Sequence, residues 1–217
     1  MTIEPVAYIY NDYSEKFGIP RQSGLANELS EIRLTGIYAV PEALRGIESY
    51  DHLWLLWLFS ENTEARFSPT VRPPRLGGNT RMGVFATRSP FRPNHIGLSC
   101  VQLIEVYADE CRLIVSGADI KNGTPIIDIK PYIPYTDIKE NAVGGFSDSV
   151  IEKKKVIYSD DPSKHLDTQQ ITVLTEILAQ DPRPQYHEDG REYTFTYAGH
   201  EVSFTVDDDI VTAWIQG

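Results

Sequence analysis

Short apolar runs separated by Gly, Pro and Asn fill the first two thirds of the chain, at 6–10, 31–40, 52–59, 82–86, 99–107 and 112–117. They are rich in Val, Ile, Leu, Tyr and Trp, and many short strands with turn residues between them predict an antiparallel sheet closed into a barrel or sandwich. Alternation fails at 53–59, apolar at nearly every position, so this strand is expected to be central and covered on both faces. The helical signal here is short, at 41–45, with proline at a first helical position. The run 147–157 reads as a last strand or a linker. Beyond it the pattern changes: Ile171, Leu174, Ile177 and Leu178 fall on one face of a helix over 168–180. Asp181-Pro182-Arg183-Pro184 ends that helix, and strands at 192–197 and 200–206 flank Ala198-Gly199 as a hairpin. The expected organisation is a mainly β domain over 1–158, an antiparallel barrel, and a small α+β domain over 159–217.

A chain of 217 residues, 41% of them hydrophobic, is long enough to bury a core of that size. No run of about eighteen apolar residues occurs, and the first ten residues lack the basic head and apolar stretch of a signal peptide. A cytoplasmic protein that spans no membrane is expected. Cys100 and Cys111 are too few for a disulfide framework and read as reduced core residues. Neither they nor His52, His95, His165, His187 and His200 show close metal-ligand spacing, so no metal is expected.

A net charge of −11 argues at first against a nucleic-acid partner, because cations on phosphates supply most of the affinity in such complexes. The average hides a segregation. From Arg66 to Arg92 the chain carries six arginines (Arg66, Arg72, Arg75, Arg81, Arg88, Arg92) and no Asp or Glu. Removing these six charges from −11 leaves −17 on the remainder, of which −9 follows Tyr158, twelve acids against three bases. An arginine-only stretch can build a local anion site on an acidic protein.

The most unusual stretch runs from Ala86 to Ser99: Ala-Thr-Arg-Ser-Pro-Phe-Arg-Pro-Asn-His-Ile-Gly-Leu-Ser. Pro90 and Pro93 fix φ in the loop, Gly97 loosens it, and a strand is expected on either side. A rigid loop holding Arg88, Arg92, Ser89, Asn94 and His95 reads as a binding element, against the plainer reading that it only turns the chain.

This stretch resembles the signature of the TsaA-like family, whose bacterial members include tRNA methyltransferases. Glu15-Lys16-Phe17-Gly18-Ile19-Pro20-Arg21-Gln22 is similar to the family's segment after its first strand. Arg72-Pro73-Pro74-Arg75-Leu76-Gly77-Gly78-Asn79 is similar to its approach to the signature, and Asp128-Ile129-Lys130-Pro131-Tyr132-Ile133-Pro134 to its second marker. Asp181-Pro182-Arg183-Pro184 resembles the start of the C-terminal domain of the tRNA-methylating members. His95 departs from the family, many members having proline there.

The resemblance implies a TsaA-type β-barrel that methylates as a homodimer with S-adenosylmethionine as donor. Its acceptor would be N6 of threonylcarbamoyl-adenosine beside the anticodon of threonine tRNA. The chain has no Gly-x-Gly-x-x-Gly after a strand, in keeping with a fold unrelated to Rossmann enzymes. The resemblance places the donor against Gln22, Ser23, Gly24, Ser60, Glu61, Arg88, Leu98 and a turn of Asp128, Ile129, Lys130 and Pro131. Arg88 is suited to the donor's carboxylate, Leu98 to its adenine, and Asp128 to its ammonium or ribose.

An amide-like acceptor nitrogen needs a base, worth on the order of 10²–10⁴-fold. Asp128 is the first candidate, with Lys130 and Tyr132 as alternatives. Tyr132, Tyr135 and Phe91 are candidates to stack on a splayed-out base. Arg66, Arg72, Arg75, Arg81 and Arg92, with Lys153, Lys154 and Lys155, are candidates for the tRNA backbone. The acidic C-terminal domain is left with three roles, recognising tRNA through Arg183 and Tyr186, repelling wrong RNAs, or capping the barrel. A module that binds S-adenosylmethionine or RNA without transfer is the competing class, and a methyltransferase for another acceptor is a third.

Overall fold

The computed structural model describes residues 2–62, 67–148, 152–183 and 189–216. Arg66, Pro184, Tyr186 and His187, named above, lie outside the described residues. In chain order the first unit contains β1 (Ala7–Tyr10), β2 (Leu29–Leu34), β3 (His52–Leu58), β4 (Thr70–Val71), β5 (Met82–Gly83), β6 (Ile96–Tyr107), β7 (Arg112–Ser116), β8 (Pro125–Pro131) and a helical turn α1 (Pro134–Asp137). Six of these strands close into an antiparallel barrel in the order β1-β2-β7-β6-β3-β8, while β4 and β5 form a separate ribbon.

β3 is central, with β6 on one side (Leu56↔Leu98) and β8 on the other (Leu56↔Asp128). Leu53, Leu55 and Trp57 point inward and are buried with Ile9, Ile32, Val101, Leu113, Val115 and Ile126. Trp54, Leu56 and Leu58 face outward and are half-buried. β3 is central as expected, but only its inner face is fully buried; its outer face is half-covered, against the expectation of cover on both sides.

Four sequence expectations change. The run 35–40 leaves the sheet after Leu34 and forms a 3₁₀ turn, Gly36–Tyr38. Gly97 is not a loop hinge, because β6 starts at Ile96 and takes Gly97 into the ladder opposite Trp57. Asp128 to Pro131 is not a turn but the second half of β8, with Pro125 opening the strand and Pro131 closing it, positions that proline tolerates. The cysteines are free but half-buried rather than core, Cys111 turning the chain at φ 52°.

The second unit contains β9 (Lys155–Tyr158), α2 (Thr168–Ala179), β10 (Tyr193–Tyr197), β11 (His200–Asp207) and β12 (Ile210–Gln216). Asp167 and Gln170 start α2 as a reciprocal capping box. Its apolar face, Val173, Leu174, Ile177 and Leu178, is buried against Phe195, Tyr197, Val202, Phe204 and Val206 of a sheet ordered β10-β11-β12-β9. β9, counted with the barrel on sequence, hydrogen-bonds in parallel to β12.

The long connection 11–28 between β1 and β2 belongs to the barrel in sequence but packs largely on the second unit. Tyr13 and Ala26 are buried in the second unit's core, with Phe17 and Ile19 against it. Phe17 meets Phe195 edge-on at 5.9 Å, and a Cβ on Gly18 would lie 2.4 Å from the Phe195 ring. Asn27 is held by Glu176 at 2.7 Å, and Arg21 donates to the carbonyl of Arg183 at 3.0 Å. Beneath the connection, buried Glu28 accepts from the Tyr197 hydroxyl at 2.9 Å and from the Asp12 amide at 3.1 Å. Gln22, Ser23 and Gly24 sit near the end of this clamped segment.

Candidate active site

One rim of the barrel opens into a cleft of about 560 Å³. Its walls come from distant parts of the chain: 16–22, the end of β3 with Ser60 and Glu61, the loop 87–92, the start of β6, and 119–124 between β7 and β8. The volume lies within the range of small-molecule sites, and the lining is mixed, apolar from Ile19, Pro20, Trp57 and Leu98 and charged from Arg21, Arg88, Asp119 and Lys121.

The signature loop is held by its own polar groups. Thr87 Oγ1 donates to the Val84 carbonyl at 2.8 Å, the Phe91 amide donates to Ser89 Oγ at 3.3 Å, and the Arg92 guanidinium donates to the Thr87 carbonyl at 2.7 Å. His95 adopts φ 48°, its ring Nδ1 lies 3.2 Å from the Pro90 carbonyl, and its carbonyl accepts from the Phe59 amide, so it ties the loop to the end of β3. Arg92 and His95 are therefore partly committed to the loop's shape, whereas exposed Arg88 reaches across the cleft to Gln22 Oε1 at 2.5 Å.

Behind the loop, the Ile-Gly-Leu-Ser segment shows why its residues alternate as they do. A Cβ on Gly97 would lie 2.3 Å from the Trp57 ring, so only glycine admits the indole there. The indole Nε1 donates to Ser99 Oγ at 2.9 Å, and Ser99 donates to Asp119 Oδ1 at 2.5 Å. Trp57 and Ser99 are buried, and Asp119 lines the cleft. Leu98, between them in sequence, points the other way and is 50% exposed.

Burial pushes the Asp119 carboxyl up. The Ser99 hydroxyl, the backbone N–H groups of Asp119 and Ser23, and the charge of Arg88 oppose that shift. Glu61 goes the other way, held low by Lys121 and then by Lys16, with Lys16 at 3.3 Å.

Of the residues the sequence pointed to, Gln22, Ser60, Glu61, Arg88 and Leu98 line the cleft. Ser23 and Gly24 adjoin it, fixed by Cys100 N–H to Ser23 Oγ at 3.2 Å and Gly24 N–H to the Gly117 carbonyl at 2.8 Å. Asp128, Ile129, Lys130, Pro131 and Tyr132 do not line it. Asp128 and Lys130 stand on the outer face of β8 as an ion pair of 2.7 Å, with Tyr132 against Trp54 at 5.7 Å. Arg72 and Arg81 are exposed, and Arg75 is half-buried. Sequence pattern missed Asp119 and Lys121, because 118–124, with Asn122 and Gly123, shows neither strand nor helix period after the run 112–117. Among the described residues, no group of three or more His, Cys, Asp or Glu could hold a metal. No helix there is long and apolar enough to cross a membrane.

Residues 8–138 match the family model of the tRNA-methyltransferase O N-terminal domain, and 151–214 match that of the TrmO C-terminal domain. The tRNA (adenine(37)-N6)-methyltransferase of Escherichia coli K12 is 43% identical over 205 residues, 90% of this chain and 87% of the relative. That of Eikenella corrodens is 40% identical over 162 residues, 73% of this chain and 92% of the relative. A crystal structure of TrmO from Pseudomonas aeruginosa superposes with TM-score 0.81 at 31% identity, covering 100% of this chain and 98% of that one.

Proposed function

Since the chain belongs to the tRNA-methyltransferase O family, we propose that it is an S-adenosylmethionine-dependent tRNA (adenine-N6)-methyltransferase. Its acceptor is threonylcarbamoyl-adenosine next to the anticodon of threonine tRNA, and it works in the cytoplasm as a homodimer. The observation that carries this reading is the rim cleft, where the signature loop meets a space of small-molecule size with an apolar wall and opposed charges.

The donor's chemistry matches that lining. It has a flat purine, a ribose, a cationic sulfur and a zwitterionic head, and it supplies an electrophilic methyl group when bound. Leu98 and Ile19 offer apolar surface for the purine, Arg88 a cation for the head's carboxylate, and Gln22 and the Ser23-Gly24 backbone polar partners. Ser60 and Glu61 close the end of β3 against Lys16 and Lys121. Holding sulfur and acceptor nitrogen in line accounts for much of the acceleration.

The acceptor side needs a base and a stacking surface, and the candidates stand outside the protomer's own cleft. Leu98, Leu56 and Asp128 pair across three adjacent strands and share one outer face. On that side Lys130 pairs with Asp128 and Tyr132 packs on Trp54, and in the chain that follows Tyr135, Ile138 and Val143 are exposed. A second copy laid on that face would cover its apolar residues and bring Asp128, Lys130 and Tyr132 to the partner's cleft. Asp128 then accepts the proton from the acceptor nitrogen, Lys130 steadies charge on Asp128 or the carbamoyl group, and Tyr132 stacks on the base. Exposed Arg72 and Arg81, with Arg75, contact the tRNA backbone; Arg92, braced against Thr87, contributes from the cleft edge.

The test incubates the protein with methyl-labelled donor and tRNA from cells with and without the threonylcarbamoyl modification. Label confined to the modified pool is expected. Equal label in both pools would assign another acceptor, and no label despite donor binding would make the chain a binding module.

A further inference from the structure

We propose that the β4–β5 ribbon is a stacking platform for unpaired RNA: the rings of Phe67 and Phe85 take bases of the anticodon loop, while Arg72 and Arg81 hold the adjoining phosphates. The proposal rests on the RNA-methylating reading of the cleft. It assigns a role to two aromatic residues that neither line the cleft nor belong to the Asp128 marker.

Two large apolar rings left in water at one place mark a contact surface, since single exposed apolar residues are common but grouped ones are not. Phe67 is 57% exposed and Phe85 74%. The ribbon brings them to the same end. β4 pairs with β5 as Thr70↔Gly83 and Val71↔Met82, and the Val84 amide extends the pairing by donating to the Pro69 carbonyl at 3.0 Å. Phe67 precedes Pro69 and Phe85 follows Val84, so both rings leave the ribbon where that pairing stops. Phe85 is held firmly there. Val84 is 1% exposed, and its carbonyl accepts from the Thr87 amide at 3.2 Å and the Thr87 hydroxyl at 2.8 Å. Arg92 donates in turn to the Thr87 carbonyl at 2.7 Å. The turn that presents the ring runs straight into Thr87 and Arg88 on the cleft wall.

The charge around the rings selects the partner. Residues 67–92 contain no Asp or Glu. Arg72 and Arg81 leave the opposite end of the ribbon, both exposed, and Arg81 lies back along it with its guanidinium on Thr70 Oγ1 at 3.2 Å. Among the described residues neither makes an ion pair. From Phe67 to Arg72 the chain reaches at most about 18 Å, a span of a few nucleotides. Aromatic faces with cations beside them bind single strands, because every base has a face to stack and every phosphate a charge to neutralise. A duplex keeps its bases stacked on one another and leaves the rings empty, so the platform fits the loop of an anticodon arm rather than its stem.

Fluorescence anisotropy tests this, with a labelled anticodon stem-loop of threonine tRNA and a double-stranded RNA of the same length, on wild type, Phe67→Ala, Phe85→Ala and Phe85→Trp. Each Ala variant is expected to bind the stem-loop about fivefold to hundredfold more weakly, the range for losing one stacked base. Duplex affinity, S-adenosylhomocysteine affinity and Tm are expected to stay at wild-type values, and Phe85→Trp to keep the stem-loop affinity. The slope of log affinity against log salt should also hold, since a ring displaces no counterions. Unchanged stem-loop binding by both Ala variants would overturn the proposal, as would equal losses on stem-loop and duplex. A dimer that falls apart in the Ala variants, seen by sedimentation, would make the rings an interface between copies and overturn it too. Wild type that binds neither RNA would remove the RNA reading of the cleft itself, and the platform with it.

Discussion

Replacing Glu28 with Gln should stabilise the protein more at alkaline than at acid pH. Glu28 is 4% exposed at the junction of the two units, and burial pushes its carboxyl from 4.5 up to about 7. The bonds from the Asp12 amide and the Tyr197 hydroxyl hold it lower than burial alone would, while Asp12 and Asp167 add repulsion. A carboxyl whose pKa rises on folding favours the folded state below about 4.5, where both states carry the proton, and that advantage is lost as pH climbs through 7. At 1.36 kcal/mol per unit, the loss reaches about 3 kcal/mol by pH 8. Gln keeps an acceptor for Asp12, and the Tyr197 hydroxyl can turn to accept from its amide, so the substitution gives up about 1 kcal/mol of hydrogen bonding at any pH. The difference in unfolding free energy, variant minus wild type, should rise by about 2 to 3 kcal/mol between pH 5 and 8, a relative gain of roughly 5–10 °C in Tm for a chain of this length. Thermal melts of both proteins by circular dichroism across that interval measure it directly. Asp12, Asp167 and Glu176 are present in both proteins and largely cancel. Parallel stability curves would refute the reasoning, because they would mean that Glu28 titrates in the folded protein as it does in water.

Gly97→Ala should drive Trp57 from its place, cost about 1–3 kcal/mol of stability and alter tryptophan fluorescence; wild-type melting and emission would show that the close approach is relieved without cost. Asp128→Ala and Arg88→Ala should each be nearly inactive alone, while a mixture refolded together should recover part of the methyl transfer through dimers with one intact site. No recovery would place Asp128 and Arg88 in the same protomer's site or remove one of them from it. Replacing both Arg72 and Arg75 with Ala should weaken tRNA binding and flatten the plot of log affinity against log salt by about one unit per lost phosphate contact. An unchanged slope would take both arginines out of the RNA interface.

Local pattern was sufficient for much of this protein. The short punctuated strands, the central place of β3 and the helix face of Ile177 and its neighbours could be read along the chain, because a side chain's period records which faces are buried. The signature loop was legible for a similar reason: two prolines among arginines and serines fix backbone and chemistry together. Pattern failed where partners are distant. Asp128 and Lys130 read as a turn because Pro125 and Pro131 mask a strand that shows itself only when β3 pairs with it. Asp119 lies in a stretch with neither strand nor helix period, and only the closure of the barrel brings Trp57 and Ser99 behind it. Gly97 looked like a hinge, although its role is set by an indole forty positions earlier in the chain.

The same limit governs the second unit. Its helix, its hairpin and its acidity could be read along the chain, yet nothing local tells that Tyr13, Phe17 and Ala26 belong to its core. They are ordinary apolar residues in a long connection, and the surface they fill is made more than a hundred residues later by Phe195, Tyr197 and Phe204. By itself, then, the sequence determined most of the strands, the long helix α2 and the loop that carries charge, but not β8 or β12. The tertiary structure decided that the C-terminal unit clamps the segment leading to the cleft, because burial and close contact depend on what lies across the fold rather than on what lies next in the chain.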